Sequence, residues 1–204
     1  MHRSRKKWLY LITGFSYGKE KIQEALRAGV DVIQLREKNI SSAEYLCRAK
    51  ILVEMAQNTG TKVIINDRVD IALLSGADGV HLGQDDVPAQ DARRLMGSGK
   101  VIGVTVKTQE QAKAAEAAGA DYLGSGAWFP TSTKQDAVPI TQERYREILE
   151  AVSIPDVAVG GITVENCGVP LACGCDGLAV SSGIMKATDI SGTVRRFRQI
   201  LDTW

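Results

Sequence analysis

The chain has 204 residues, 44% of them hydrophobic, with 25 basic against 24 acidic side chains. That is enough apolar material for a sizeable core, and it reads as one domain over residues 1–204. The balanced charge argues against a generic nucleic-acid or membrane partner, and no apolar run approaches the length needed to span a bilayer.

The opening MHRSRKKWLYLITG starts basic and turns apolar, but Trp8 to Ile12 is too short for an export segment before Gly14, Lys19 and Glu20 arrive. It reads as a first strand with a basic lead-in, in a cytoplasmic protein. A phrase of small-Gly-x-Asp followed by an apolar run then recurs four times, as AGVDVIQL, SGADGVHL, AGADYLGS and CGCDGLAV. Its glycines, Gly29, Gly76, Gly119 and Gly174, are expected to end helices in the left-handed conformation, and the run after each aspartate reads as a buried strand. One more strand-like run separates successive copies: KVIIND (62–67), KVIGVTV (100–106) and PDVAVGG (155–161). Helical patterning fills most gaps, as in SAEYLCRAKILVEMAQ and TQEQAKAAEAA.

Eight short apolar strands alternating with helices predict an α/β fold, a compact (β/α)8 TIM barrel below the ~250 residues typical of that architecture. An open doubly wound sheet is the alternative, disfavoured because no Gly-rich dinucleotide fingerprint follows the first strand. Of the four cysteines, Cys47, Cys167, Cys173 and Cys175, the last two form a Cys-x-Cys. They lack a second pair, and His2 and His81 are distant, so the cysteines read as apolar fillers, with neither zinc nor disulfides expected.

Loops that follow the strands form the working face of such barrels. Strand two ends QLREK, and period-two alternation puts Gln34, Arg36 and Lys38 on one surface, facing a ligand. Strand three ends with Asn66, Asp67 and Arg68, and strand four with Gln84, Asp85 and Asp86. Asp67 and Asp86 each suit helix capping. Two acidic ends on neighbouring strands beside Arg36 and Lys38 favour a divalent cation instead, because Mg²⁺ is commonly held by one or two carboxylates plus water and phosphate oxygens. Strand five offers Thr105 as an inward hydroxyl. The long gap from Tyr122 to Pro155 holds GSGAWFPTSTKQDAVP, a loop after strand six carrying Thr131, Ser132, Thr133 and Lys134. Strands seven and eight end AVGGIT and AVSSGI: Gly160 and Gly161 permit close backbone approach and Ser181 and Ser182 add hydroxyls, the pattern of a barrel phosphate site.

Two anion sites follow from this inventory. One is a monophosphate cradle after strands seven and eight. The other is a metal-assisted polyanion site of Arg36, Lys38, Asp67, Asp86, Thr105 and Lys134. There is no Ser-His-Asp set, and His81 falls mid-strand, where it reads as core or a buried hydrogen-bond donor. Metal and fixed cations with little acid–base apparatus suit displacement of a diphosphate leaving group.

QLREK, IINDRVDIAL, GVHLGQDD, YLGSGAWFPTSTKQDA, VAVGGIT and GLAVSSGI, in this order, resemble the thiamine-phosphate synthase family, from the first strand to about Ile184. The PTSTK piece is the most specific. The resemblance implies a transferase that joins a pyrimidine methyl diphosphate to a thiazole phosphate and releases pyrophosphate with Mg²⁺, in thiamine biosynthesis. It implies Asp67 and Asp86 as metal ligands. Gln34, Arg36, Lys38, Asn66, Thr105 and Lys134 would hold the pyrimidine diphosphate, with Arg36, Thr105 and Lys134 as the catalytic set. Thr131, Ser132, Thr133, Gly161, Ser181 and Ser182 would surround the thiazole phosphate. The implied route is dissociative: pyrophosphate leaves first and the thiazole nitrogen captures the pyrimidine cation.

The chain departs from the family pattern in three places. Thr105 replaces a serine, Lys107 stands where a histidine is usual, and Thr13-Gly14 opens a shortened loop after the first strand. A sister family of thiazole tautomerases depends on that histidine and lacks the Thr-x-Thr-Lys loop, so Lys107 with Thr131, Thr133 and Lys134 favours the synthase. A non-catalytic phospholigand-binding barrel is the remaining reading, opposed by the complete metal pair and cationic set. Partners are expected to be small-molecule substrates; homo-oligomerisation is left open.

Overall fold

A computed structural model describes residues 6–130 and 139–204. Strands β1 (Trp8–Thr13), β2 (Val32–Leu35), β3 (Lys62–Asn66), β4 (Gly79–Leu82), β5 (Val101–Val106), β6 (Tyr122–Gly126), β7 (Asp156–Val159) and β8 (Gly177–Val180) are all parallel. They close in sequence order into a barrel, so the expected (β/α)8 architecture is the one observed. Around it run α1 (Lys19–Ala28), α2 (Ser42–Ala56), α3 (Val69–Ser75), α4 (Ala89–Met96), α5 (Gln109–Ala117), α6 (Gln142–Ala151), α7 (Gly168–Ala172), α8 (Ser182–Met185) and α9 (Ile190–Leu201). No described helix is long and apolar enough to cross a membrane.

The recurring phrase has a structural cause at both of its fixed positions. Gly29, Gly76, Gly119 and Gly174 all have positive φ, between 76° and 97°, where the chain leaves a helix and a side chain would be strained. Each following aspartate then turns back to the strand before its own. Asp31 accepts from Leu9 N at 2.8 Å, Asp78 from Val63 N at 2.8 Å, Asp121 from Ile102 N at 2.7 Å and Asp176 from Asp156 N at 3.0 Å. These N–H groups lie at the starts of odd-numbered strands, so the aspartates tie the strands in pairs at the face away from the ligand cavity. Cations reinforce three of them: Lys6 and Arg198 at Asp31, Lys62 at Asp78 and Arg93 at Asp121.

Period-two alternation divides the strand residues between two cores. Leu9, Leu11, Ile33, Leu35, Val63 and Ile65 face the helices in the larger one. Tyr10, Tyr122, Val157 and Ala179 fill the barrel interior, flanked by Trp8, Ile12, Val32, Val101 and Val159. Gly103 makes room for this interior, because a Cβ there would lie 2.1 Å from the Tyr122 ring. Helix α2 is capped by Ser41, α5 by Thr108, α6 by Thr141 and α9 by Asp189, each accepting a first-turn N–H. Cys173 and Cys175 are buried beside the start of β8.

Candidate active site

A cavity of about 570 Å³ opens at the C-terminal ends of the strands. Gln34, Arg36, Lys38, Asn66, Asp67, Asp86, Thr105, Gly161, Ser181 and Ser182 all line it. Thr131, Ser132, Thr133 and Lys134 lie outside the described residues. The site residues expected from the strand ends thus share one cavity wherever the structure describes them.

Strand β2 ends at Leu35, yet Arg36 N still donates to Thr13 O at 2.8 Å, which carries the alternation far enough for Arg36 and Lys38 to face inward. Glu37 points the other way. It accepts from Phe15 N at 2.8 Å and pairs with Arg48 at 2.9 Å. The shortened loop after β1 is therefore pinned to β2, and Gly14 packs there with a Cβ position only 3.1 Å from Arg36 O.

Neither acidic strand end caps a helix. Arg68 precedes α3 and Pro88 precedes α4, and neither helix has a side-chain cap at its first turn. Asp67 sits at φ 65°, a left-handed turn that aspartate tolerates, held by Asp67 N donating to His81 O at 2.8 Å. That turn points its carboxylate to Lys38 Nζ at 2.5 Å. Asp86 accepts from Gly83 N at 2.6 Å. Burial raises the Asp86 carboxyl above its ordinary range and the neighbouring Asp67 charge adds to this, whereas the Gly83 N–H and Lys38 oppose it. Two carboxylates that repel one another beside the Lys38 ammonium fit a shared divalent cation. Among the described residues no cluster of three or more His, Cys, Asp or Glu forms, so such an ion would take its other oxygens from water and phosphate, as Mg²⁺ does.

The glycine pair after β7 also seats a neighbouring loop. Gly160 (φ 103°) and Gly161 (φ 64°) do line the cavity, but the space their side chains would need is taken by the loop after β6. A Cβ on Gly160 would meet Ala127 Cβ at 2.5 Å, and one on Gly161 would meet Pro130 O at 2.6 Å. The glycines bring the β6 loop down onto the rim, beside Ser181 and Ser182 at the start of α8.

His81 is the residue that sequence reasoning set aside. It lines the cavity, with Nδ1 2.9 Å from Tyr122 Oη and Nε2 2.9 Å from Thr105 Oγ1. Burial lowers it to about 4 while the Asp67 charge pulls the other way, so the ring is neutral at pH 7. The signal available in the sequence was alternation: His81 stands between Val80 and Leu82, two apolar residues that face the helices, hence inward. Tyr10, also on the cavity wall, was read only as part of an apolar strand.

Such a mouth, on such a barrel, defines a (β/α)8 enzyme that works on small molecules at the C-terminal ends of its strands. The family model for thiamine monophosphate synthase matches residues 9–184. The thiamine-phosphate synthase of Methanobrevibacter smithii is 46% identical over 183 residues, 88% of each chain. That of Clostridioides difficile is 44% identical over 194 residues, 93% of this chain and 92% of the relative. The solved thiamine phosphate pyrophosphorylase from Pyrococcus furiosus superposes with a TM-score of 0.88 at 39% identity, covering 97% of this chain and 96% of its own. The chain belongs to the thiamine monophosphate synthase family.

Proposed function

We propose that this chain, acting as one domain over residues 1–204, is a transferase that makes thiamine phosphate. It joins 4-amino-2-methyl-5-(diphosphomethyl)pyrimidine to a thiazole phosphate and releases pyrophosphate. The observation that carries the reading is the meeting, in one cavity, of Arg36 and Lys38 with the Asp67–Asp86 pair and the Gly161–Ser181–Ser182 rim. The relatives favour the synthase over the tautomerase branch, and Lys107, which also borders the cavity, fills the place where the tautomerases need a histidine.

Asp67 and Asp86 would hold Mg²⁺, which when bound neutralises charge on the departing diphosphate. Arg36 offers a planar fork of donors to two diphosphate oxygens, and Lys38 a compact charge able to leave Asp67 for phosphate. Gln34 and Asn66, both buried, present amides to the pyrimidine from the barrel interior. Thr105 adds a hydroxyl near the leaving group. Lys134 and the hydroxyls Thr131, Ser132 and Thr133 complete the substrate contacts in this reading. No general base is needed, because the thiazole nitrogen attacks with its lone pair and carries no proton to lose, while the electrons of the broken C–O bond leave with pyrophosphate.

The test is direct. The purified chain is mixed with both substrates and Mg²⁺, and thiamine phosphate and pyrophosphate are measured. Equal amounts of the two products are expected, and both should disappear on addition of a chelator. A folded protein that forms neither product would sink the reading.

A further inference from the structure

The barrel interior holds a continuous row of hydrogen bonds from Gln34 to the cavity wall. Gln34 Nε2 donates to Tyr10 Oη at 2.8 Å, Tyr10 Oη lies 2.9 Å from Tyr122 Oη, and His81 bridges Tyr122 Oη to Thr105 Oγ1 at 2.9 Å on either side. Each phenol has one proton to give, and an imidazole that accepts from a hydroxyl at one nitrogen and donates to a hydroxyl at the other has one N–H. Either phenol of the Tyr10–Tyr122 pair can donate; with Tyr10 already accepting from Gln34, the arrangement that leaves no buried phenol proton without a partner among the described residues sends the Tyr10 proton to Tyr122. Tyr122 then spends its proton on His81 Nδ1. The ring proton is left on Nε2 and is given to Thr105 Oγ1. Thr105 accepts within the row, so its own hydroxyl proton is free to point into the cavity.

We propose that Tyr10, Tyr122 and His81 are positioning residues that orient the Thr105 hydroxyl as a hydrogen-bond donor toward the diphosphate. This rests on the functional reading above for the identity of the ligand, though the direction of the row does not. Packing holds the row in place. A Cβ on Gly103 would overlap the Tyr122 ring, and one on Gly124 would come 3.0 Å from His81 Cε1, so both rings occupy space that glycine leaves on neighbouring strands. Tyr10, Tyr122 and Gln34 are each no more than 3% exposed, which removes water as a competing partner. A hydroxyl whose proton is already aimed at the leaving group needs no reorientation as charge develops there.

The experiment has two arms. In the first, the protein is labelled with ¹⁵N-histidine, and a His2→Ala version assigns the His81 signals. At pH 7, with and without Mg²⁺ and pyrophosphate, Nε2 is expected to be protonated and Nδ1 bare. A proton on Nδ1, or on both nitrogens, would overturn the proposal. In the second, Tyr122→Phe and Tyr10→Phe are each made in the parent and in a Thr105→Val background. Each phenylalanine variant should lower kcat/KM roughly 10-fold in the parent, the scale of one hydrogen bond to a charged group, and less than about 2-fold when the hydroxyl is already gone. Equal losses in both backgrounds would mean the tyrosines serve packing alone, and the proposal fails. If the parent makes no thiamine phosphate, the functional reading falls instead, while the tautomer measurement, which needs no turnover, still decides the direction of the row.

Discussion

Asp67 carries two demands at once, a left-handed backbone and a carboxylate at the mouth. Asn tolerates the same φ, so Asp67→Asn removes charge without disturbing the turn. It should fold like the parent and lose most of its magnesium-dependent product formation; turnover within about 2-fold of the parent would count against Asp67 as a ligand. Asp156 makes the opposite case, a carboxyl with no part in the cavity. It is fully buried, accepts from Ser125 Oγ and from Tyr145 Oη at 2.5 Å, and burial raises it to about 7 despite those two donors. In the unfolded chain it ionises near 3.8. Its contribution to stability is therefore full below that value and lost as pH rises to about 7, because between the two only the folded chain keeps the proton. Unfolding free energies from urea titrations at pH 4 to 8 should fall across this window by roughly 2–4 kcal/mol more in the parent than in Asp156→Asn. Parallel curves for the two proteins would show that the proton is not retained.

At the scale of elements, the fold depends on how each strand is tied to its neighbour. Asp121 accepts Ile102 N at 2.7 Å and faces Arg93 at 2.6 Å. Asp121→Ala should destabilise by roughly 1–3 kcal/mol, with Asp121→Asn, which keeps an acceptor, losing less. Chemical denaturation of the three proteins orders them, and identical midpoints would remove the aspartate tie from the account. Gly161 is more demanding, because it has a positive φ and an occupied Cβ position. Gly161→Ala should cost at least about 1–2 kcal/mol and lift the β6 loop from the rim, lowering product formation as well as stability. The helix–strand alternation and the left-handed glycines were legible in the sequence because both are local stereochemistry. Helices α2 and α5 end within a residue or so of the apolar patterns that predicted them. What Gly160 and Gly161 make room for was not legible, since Ala127 and Pro130 reach them only through the closure of the barrel.

For the molecule as a whole, a ligand that binds only the folded chain must raise its melting temperature. Pyrophosphate with Mg²⁺ at about 100 times the dissociation constant contributes ~2.7 kcal/mol, which corresponds to roughly 5–10 °C for a chain of this size. Neither component alone should match the pair if the metal bridges carboxylates and phosphate. An additive response, or none, would argue against a joint site. Calorimetry of the folded chain with each component and with both is the measurement.

The order of strands and helices, the left-handed glycines of the repeat and the candidates at the strand ends were all set by the sequence itself. Period-two alternation and left-handed glycine act over a few residues and need no partner to be read. Arg36 and Ser181 could be assigned to one mouth because every strand of a parallel barrel ends on the same side. The tertiary structure decided the pairings across the interior: Lys38 on Asp67, His81 between Tyr122 and Thr105, and Tyr10 on Tyr122, separated by 112 positions in the chain. Those contacts depend on how the sheet closes and which strand leaves a glycine opposite a ring, and no local pattern encodes that geometry.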